Sequence, residues 1–346
     1  MKAVLLNQHG SVDVLKVADF PSPILKPGHV MIKLHVAALN RMDIFVRKGW
    51  PGLKLEYPHI LGADGAGQII AIAEDVSGWT IGDRVVINSN IGCGNCEFCL
   101  KNQDNMCNNW HLLGELIRGT YAEYISVPSR QLYKLPEDIS YQVAASAGLV
   151  FHTAWHSLIT KGQLRSEETV LIVGASGGVC TASIQIAKYI GARSIVVGST
   201  PEKLALAESL GADVLILRSQ DEDWAKTVFK STNKHGVDVV VDNVGTTFPQ
   251  SFRALRKGGR LLTVGNTAGP KFEIDNRFIF GKHLTIIGST MGTLADFSEV
   301  MDLITSHQLI PAISKTFPLT DIRDAQIHLE TGQNLGKVLL SIIDEG

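Results

Sequence analysis

Four of the five cysteines in the chain fall within fifteen residues, Cys93, Cys96, Cys99 and Cys107, in the spacing Cys-x2-Cys-x2-Cys-x7-Cys. Two-residue gaps let successive thiolates turn onto one ion, and the fourth closes a tetrahedral shell. Such a shell leaves no open position for a substrate, so the expected occupant is one structural zinc per chain, stapling a loop that lacks a core of its own. An iron–sulfur cluster or four free thiols are the other readings of the pattern. A cluster of this kind favours metal over disulfides in an intracellular protein.

A second chemical signal is Thr169–Cys180, TVLIVGASGGVC. A short apolar, β-branched run breaks at Gly174, Gly177 and Gly178, and helical periodicity resumes from Val179 to Lys188. That order of strand, tight turn and helix leaves free N–H groups facing a diphosphate, which makes the stretch a dinucleotide site. Gly174, Ser176, Gly177, Gly178 and Val179 are its expected contacts. Cys180 stands where the fingerprint has a third glycine, a position that serves close packing of helix on strand.

The elements that must position these groups can be read from the rest of the chain. Beyond the glycine turn, Ser194–Val197, Val214–Leu217, Val237–Val241 and Arg260–Val264 are apolar runs separated by helical stretches. This alternation predicts a doubly wound parallel sheet with its ligand at the carboxyl ends of the strands. The N-terminal third is patterned as β-strands between Pro and Gly breaks, with a short helix at Ile44–Lys48 capped by Asp43. A chain of 346 residues is too long for one core and fits two domains. The expected division is 1–148, 149–290 and a return of 291–346 to the first domain. Charged residues are 19% and the net charge is −2, which offers no steering toward nucleic acid or anionic lipid. No apolar run has the length of a membrane span and no signal-peptide pattern opens the chain, so a cytoplasmic protein is expected.

Pro58–Gly67, Gly82–Val86, the four cysteines, Gly119–Tyr124, the glycine turn and Gly336–Leu339 together resemble the medium-chain dehydrogenase/reductase superfamily, end to end. The superfamily includes zinc alcohol dehydrogenases and quinone and enoyl reductases. The resemblance implies an α/β fold: a mostly-β, GroES-like catalytic domain made from both chain ends, a Rossmann doubly wound parallel-sheet domain between them, a small-molecule substrate, and a homodimer or homotetramer. The three positions that hold catalytic zinc in the alcohol dehydrogenases fall on Asn40, Ala63 and approximately Leu149, and the proton-relay position falls on Met42. A catalytic zinc of the usual construction is therefore not expected. Asn40 with Asp43 is similar instead to the Asn-x-x-Asp stretch of zinc-free quinone oxidoreductases, where a side-chain amide near the nicotinamide orients substrate. His59, Asp64, His152 and His156 lie in segments the family brings to the active site. They are expected as hydrogen-bonded pocket residues or proton donors, with a non-standard metal site the less favoured reading.

An NAD-preferring site of this type carries an acidic residue at the end of its second strand; here that place is Gly198. Ser199, Thr200 and Lys203, with Arg218 at the end of the next strand, supply hydroxyls and cations for a 2′-phosphate, so NADPH is expected over NADH. By resemblance Asn243, Val264, Gly265, Asn266, Gly288 and Ser289 line the cofactor groove. The expected activity is hydride transfer from NADPH to a quinone or an α,β-unsaturated carbonyl, with Asn40 as donor to the developing oxyanion. Alcohol–aldehyde interconversion and a non-catalytic NADPH-binding protein are the alternatives. The near-neutral charge argues against an RNA-binding role.

Overall fold

In a computed structural model of the chain, the residues described are 1–269, 271 and 273–343. They divide into two compact units: Met1–Leu149 with the described residues from Thr293 onward, and Val150–Gly292.

The first unit is built on a seven-stranded sheet. Its spatial order is Ile313–Pro318, Lys337–Ser341, His29–Ala38, Asp64–Ile72, Arg84–Ile87 and Leu132–Lys134, with Tyr124–Pro128 also paired to His29–Ala38. Strand His29–Ala38 shows the period of two that its sequence dictates: Val30, Ile32 and Leu34 are fully buried and alternate with half-buried residues. These side chains pack with Ile69, Val85, Ile87 and Val127 in one core cluster. The C-terminal segment joins the sheet because Leu339, Leu340 and Ser341 pair antiparallel with Ala38, Ala37 and Val36. The parallel neighbour Ile313–Pro318 and the helix Ile322–Glu330, neither evident from the sequence pattern, complete this return.

The short helix near residue 44 begins earlier than the pattern indicated, at Arg41, and runs to Lys48 with Asn40 as its N-cap residue. Asp43 is the third helical residue rather than the cap, and it accepts the Asn40 backbone N–H at 2.7 Å. A carboxylate there satisfies a donor that the helix geometry leaves unpaired.

The second unit is a six-stranded parallel sheet. Val214–Leu217, Arg193–Gly198, Thr169–Val173, Val237–Asp242, Leu255–Thr263 and Thr285–Gly288 lie in that spatial order. Numbered along the chain this is 3-2-1-4-5-6, the doubly wound order whose ligand crevice opens where strands 1 and 4 part. Val170–Val173 is buried as a continuous apolar run because helices cover both faces. Helix Tyr141–Trp155 leads into this unit and widens into a π-helical turn at His156–Lys161.

Candidate functional site

The four cysteine sulfurs converge, all lying within 4.8 Å of one another. Cys93 and Cys99 sulfurs are 4.0 Å apart, and those of Cys96 and Cys107 are 3.8 Å apart. Four sulfurs at about 2.3 Å from a tetrahedral zinc sit about 3.8 Å from each other, so the quartet fits that ion. Backbone N–H groups support thiolates here: those of Cys93 and Asn109 donate to the Cys107 sulfur at 3.2 and 3.3 Å. Hydrogen bonds from the Cys99 and Asn108 backbones hold the Cys96 thiol down to about 6. Arg130 ties the lobe to the sheet by donating to the Gly92 carbonyl, and its guanidinium lies where a side chain on Gly94 would stand. Among the described residues this is the one convergent group of three or more His, Cys, Asp or Glu side chains.

At the carboxyl ends of the parallel strands, Gly174 takes φ +114°, a left-handed value that suits glycine. A Cβ there would lie 2.8 Å from the Cys180 sulfur. The bare Gly174 thus makes room for the thiol at the third fingerprint position. The Cys180 sulfur also lies 3.7 Å from the Val173 carbonyl oxygen and 3.8 Å from Asn243 Nδ2. Helix Gly178–Ile190 starts from Gly177, which has no capping side chain, and its first intrahelical N–H bond at this end is from Thr181 to Gly177. The N–H groups of Gly178, Val179 and Cys180 are left without an intrahelical acceptor, a cradle that fits a diphosphate.

The other expected cofactor contacts fall at the same sheet edge. Ser199 and Thr200 follow strand Arg193–Gly198, and Thr200 caps helix Pro201–Ser209 by accepting the Lys203 N–H. Arg218 is exposed just past Val214–Leu217, its N–H bonded to the Gly198 carbonyl at 2.9 Å. Asn243 follows Val237–Asp242, Val264–Asn266 follows Leu255–Thr263, and Ser289 follows Thr285–Gly288.

In the first unit, the structure joins Asn40, Asp43 and Asp64 in one buried network with two residues that sequence reasoning passed over, Tyr121 and Lys337. Asp43 Oδ2 accepts from the Tyr121 hydroxyl at 2.7 Å and the Asn40 N–H at 2.7 Å, and its Oδ1 accepts from the Gly62 N–H at 3.2 Å. Burial raises the Asp43 carboxyl to about 6, against the pull of Tyr121, Asn40 and Lys337. Asp64 Oδ1 accepts the Leu149 N–H at 2.6 Å, an approach open because Gly148 has no side chain. Its Oδ2 accepts from Asn40 Nδ2 at 2.9 Å and Lys337 Nζ at 3.0 Å. The Lys337 ammonium, 4% exposed, donates also to Asn40 Oδ1 at 2.7 Å and the Leu39 carbonyl at 2.9 Å. A lysine in the run Lys337-Val338-Leu339-Leu340, whose strand is buried on both faces, carries the signal that could have found it.

The geometry shows what each of these side chains is bonded to. Asp43 and Asp64 each accept three hydrogen bonds from backbone and side-chain donors. His59 stands apart from the network: it is 1% exposed, burial keeps its pKa below the usual histidine value, and its Nε2 spends its proton on the Gly114 carbonyl at 3.2 Å. His152 lies in the second unit, fully buried, with its ring against Gly292, where a Cβ would come within 2.5 Å. The second N–H of the Asn40 amide donates to the Ala38 carbonyl at 3.4 Å, the longest contact of the network.

Comparison with known proteins decides the family. Residues 26–137 match the alcohol dehydrogenase GroES-like domain, and residues 178–306 match the zinc-binding dehydrogenase domain. An NAD-dependent alcohol dehydrogenase of Sulfolobus acidocaldarius is 32% identical over 99% of this chain and the whole of the relative. The chain belongs to the medium-chain dehydrogenase/reductase superfamily. As a member it is an oxidoreductase with a GroES-like domain and a Rossmann-type parallel sheet. An acryloyl-coenzyme A reductase of Metallosphaera sedula is 31% identical, over 99% of this chain and all of the relative. The crystal structure of an NAD-dependent alcohol dehydrogenase superposes with a TM-score of 0.96 at 38% identity, covering 99% of this chain and all of that one. In this dehydrogenase/reductase no helix among the described residues is long and apolar enough to cross a membrane.

Proposed function

We propose that the protein is an NADPH-dependent reductase that delivers hydride to an electron-poor, oxygen-conjugated acceptor, an α,β-unsaturated carbonyl or a quinone, without a catalytic zinc. The observation that carries this reading is the Asn40–Asp64–Lys337 arrangement: the three positions that would hold a catalytic zinc by resemblance fall on the Asn40 amide, Ala63 and approximately Leu149, and the nearby Asp64 carboxylate is already paired to an ammonium. A cation held at that distance competes directly with any metal for Asp64. The acryloyl-coenzyme A reductase relative supports reduction of a conjugated double bond.

The bound nicotinamide would supply the hydride. The chain's own part is to hold the diphosphate on the Gly178–Cys180 N–H groups, to meet a 2′-phosphate with Lys203 and Arg218, and to stabilise oxyanion charge with a preorganised donor. Asn40 Nδ2 is that donor, since its 3.4 Å contact to Ala38 is the weakest in the network and the one an acceptor oxygen can replace. Gly198 in place of an acidic residue supports NADPH over NADH.

Metal analysis of the purified protein after mild chelation, followed by assay with NADPH and NADH against enones, quinones and simple alcohols, tests the proposal. One zinc per chain, with enone or quinone turnover that survives chelation, is expected. Two zincs per chain with chelator-sensitive alcohol oxidation would replace it with alcohol dehydrogenase chemistry.

A further inference from the structure

Lys337 is a buried cation whose effect on Asn40 has not been assigned, and its hydrogen bonding is complete. An ammonium has three N–H donors, and three oxygens converge on it: Leu39 O, Asn40 Oδ1 and Asp64 Oδ2, at 2.9, 2.7 and 3.0 Å. None is left for a substrate. The contact to Asn40 also removes a choice. A side-chain amide can present either its oxygen or its NH2 to a neighbour, and the two ends are nearly equal in shape. Here Lys337 demands an acceptor on one side and Asp64 demands a donor on the other, so the amide has one allowed orientation.

We propose that Lys337 is the positioning residue of the site: by holding Asn40 Oδ1 it fixes the amide so that the group left for the reacting molecule is an N–H donor rather than a carbonyl acceptor. This deepens the reading of a metal-free reductase and rests on it only for the identity of the acceptor. The consequence is a site selective for substrates that develop negative charge on oxygen, and unfavourable to groups that would need to donate a hydrogen bond there. Asp64 has a distinct part, since it anchors the amide nitrogen and is itself pinned by the Leu149 N–H at 2.6 Å.

Two roles must be told apart, neutralising Asp64 and orienting Asn40. The variants K337M and K337Q separate them, because both remove the ammonium charge beside Asp64 and only glutamine offers an N–H that can reach Asn40 Oδ1, while Asp64 keeps its own contacts. Each is assayed for thermal unfolding, for reduced-cofactor affinity by fluorescence titration, and for kcat and KM on whichever acceptor the wild type turns over. Both variants are expected to unfold at a similarly lowered temperature and to bind cofactor within about two-fold, yet K337M is expected to lose about 100-fold in kcat, the scale of losing one oxyanion donor, and K337Q to recover most of it. Equal kcat losses in K337M and K337Q, or wild-type kcat in a folded K337M, would overturn the positioning role. Should K337M fail to fold, K337Q decides alone: a kcat near wild type supports the role and a loss of about 100-fold overturns it. If the wild type proves to be a zinc-dependent alcohol dehydrogenase, the reductase reading fails at that earlier step, and the same variants still report on Lys337.

Discussion

Replacing Tyr121 by Phe removes one hydroxyl from the centre of the first unit and leaves the ring in place. The ring is fully buried and covers Gly62, where a Cβ would lie 2.4 Å from it, so packing is conserved. What is lost is the 2.7 Å hydrogen bond to Asp43 Oδ2. A hydrogen bond to an ionised group contributes about 1.5–3 kcal/mol, against about 1 kcal/mol between neutral groups. Asp43 stands at about 6 in the folded protein, raised by burial, while an unfolded aspartate titrates near 4. A folded value above the unfolded one means that the favourable contribution of this group is fully present below about pH 4 and is lost as pH rises through about 6. Tyr121 pulls the Asp43 value down, so the phenylalanine variant raises it further and extends the loss to higher pH. At about 2–4 °C per kcal/mol for a domain of this size, Y121F should unfold about 3–12 °C below wild type at pH 8 and about 2–4 °C below it at pH 5. Scanning both proteins at both pH values cancels every other titrating group they share. A deficit that is equal at pH 5 and pH 8 would show that Asp43 is not the group Tyr121 serves.

Further expectations follow from the two units separately. Substituting Cys107 by Ser should drop bound zinc from one per chain to none and open the 93–118 lobe to limited proteolysis; protection equal to wild type would mean that the lobe does not depend on the ion. The double variant K203A/R218A should raise the KM for NADPH by about ten-fold or more while leaving that for NADH within two-fold, since the proposed function gives each cation the 2′-phosphate as its partner; parallel losses for both cofactors would remove the NADPH assignment. Trp224, 1% exposed in the core of the second unit among Val228, Phe252 and Leu255, should cost about 3–5 kcal/mol when cut to Ala, read as a large fall in the unfolding temperature.

What could be read directly from the chain was whatever is local in it. The cysteine quartet spans fifteen residues and the glycine turn spans five, so spacing alone dictates that the sulfurs can converge and that the helix N-terminus follows the strand. The parallel sheet was legible for a related reason, because strands buried on both faces announce themselves as short apolar runs. The buried polar network of the first unit is different in kind. Asn40, Asp64, Tyr121 and Lys337 are drawn from four distant places, and the pair Asn40–Lys337 is separated by 297 residues. Sequence types could nominate Asn40, Asp43 and Asp64, and the fold did bring these three together. They could not show which donors meet the two carboxylates, because those donors include the backbone of Gly62, the backbone of Leu149 and a lysine from the closing strand. The partner of His59 was hidden for a like reason: the Gly114 carbonyl lies 55 residues on, across a loop whose course the pattern does not fix.

Burying Lys337 and Asp64 is not in itself a route to stability, since two ions taken from water recover their desolvation only with full hydrogen bonding. Here the bonding is full: the ammonium makes three bonds, and each Asp64 oxygen has a donor. An apolar pair of similar volume would fill the same space without holding an amide to one orientation. The retained ion pair is therefore explained by what it does to Asn40, and the expected recovery of turnover without recovery of stability in K337Q follows from that argument alone.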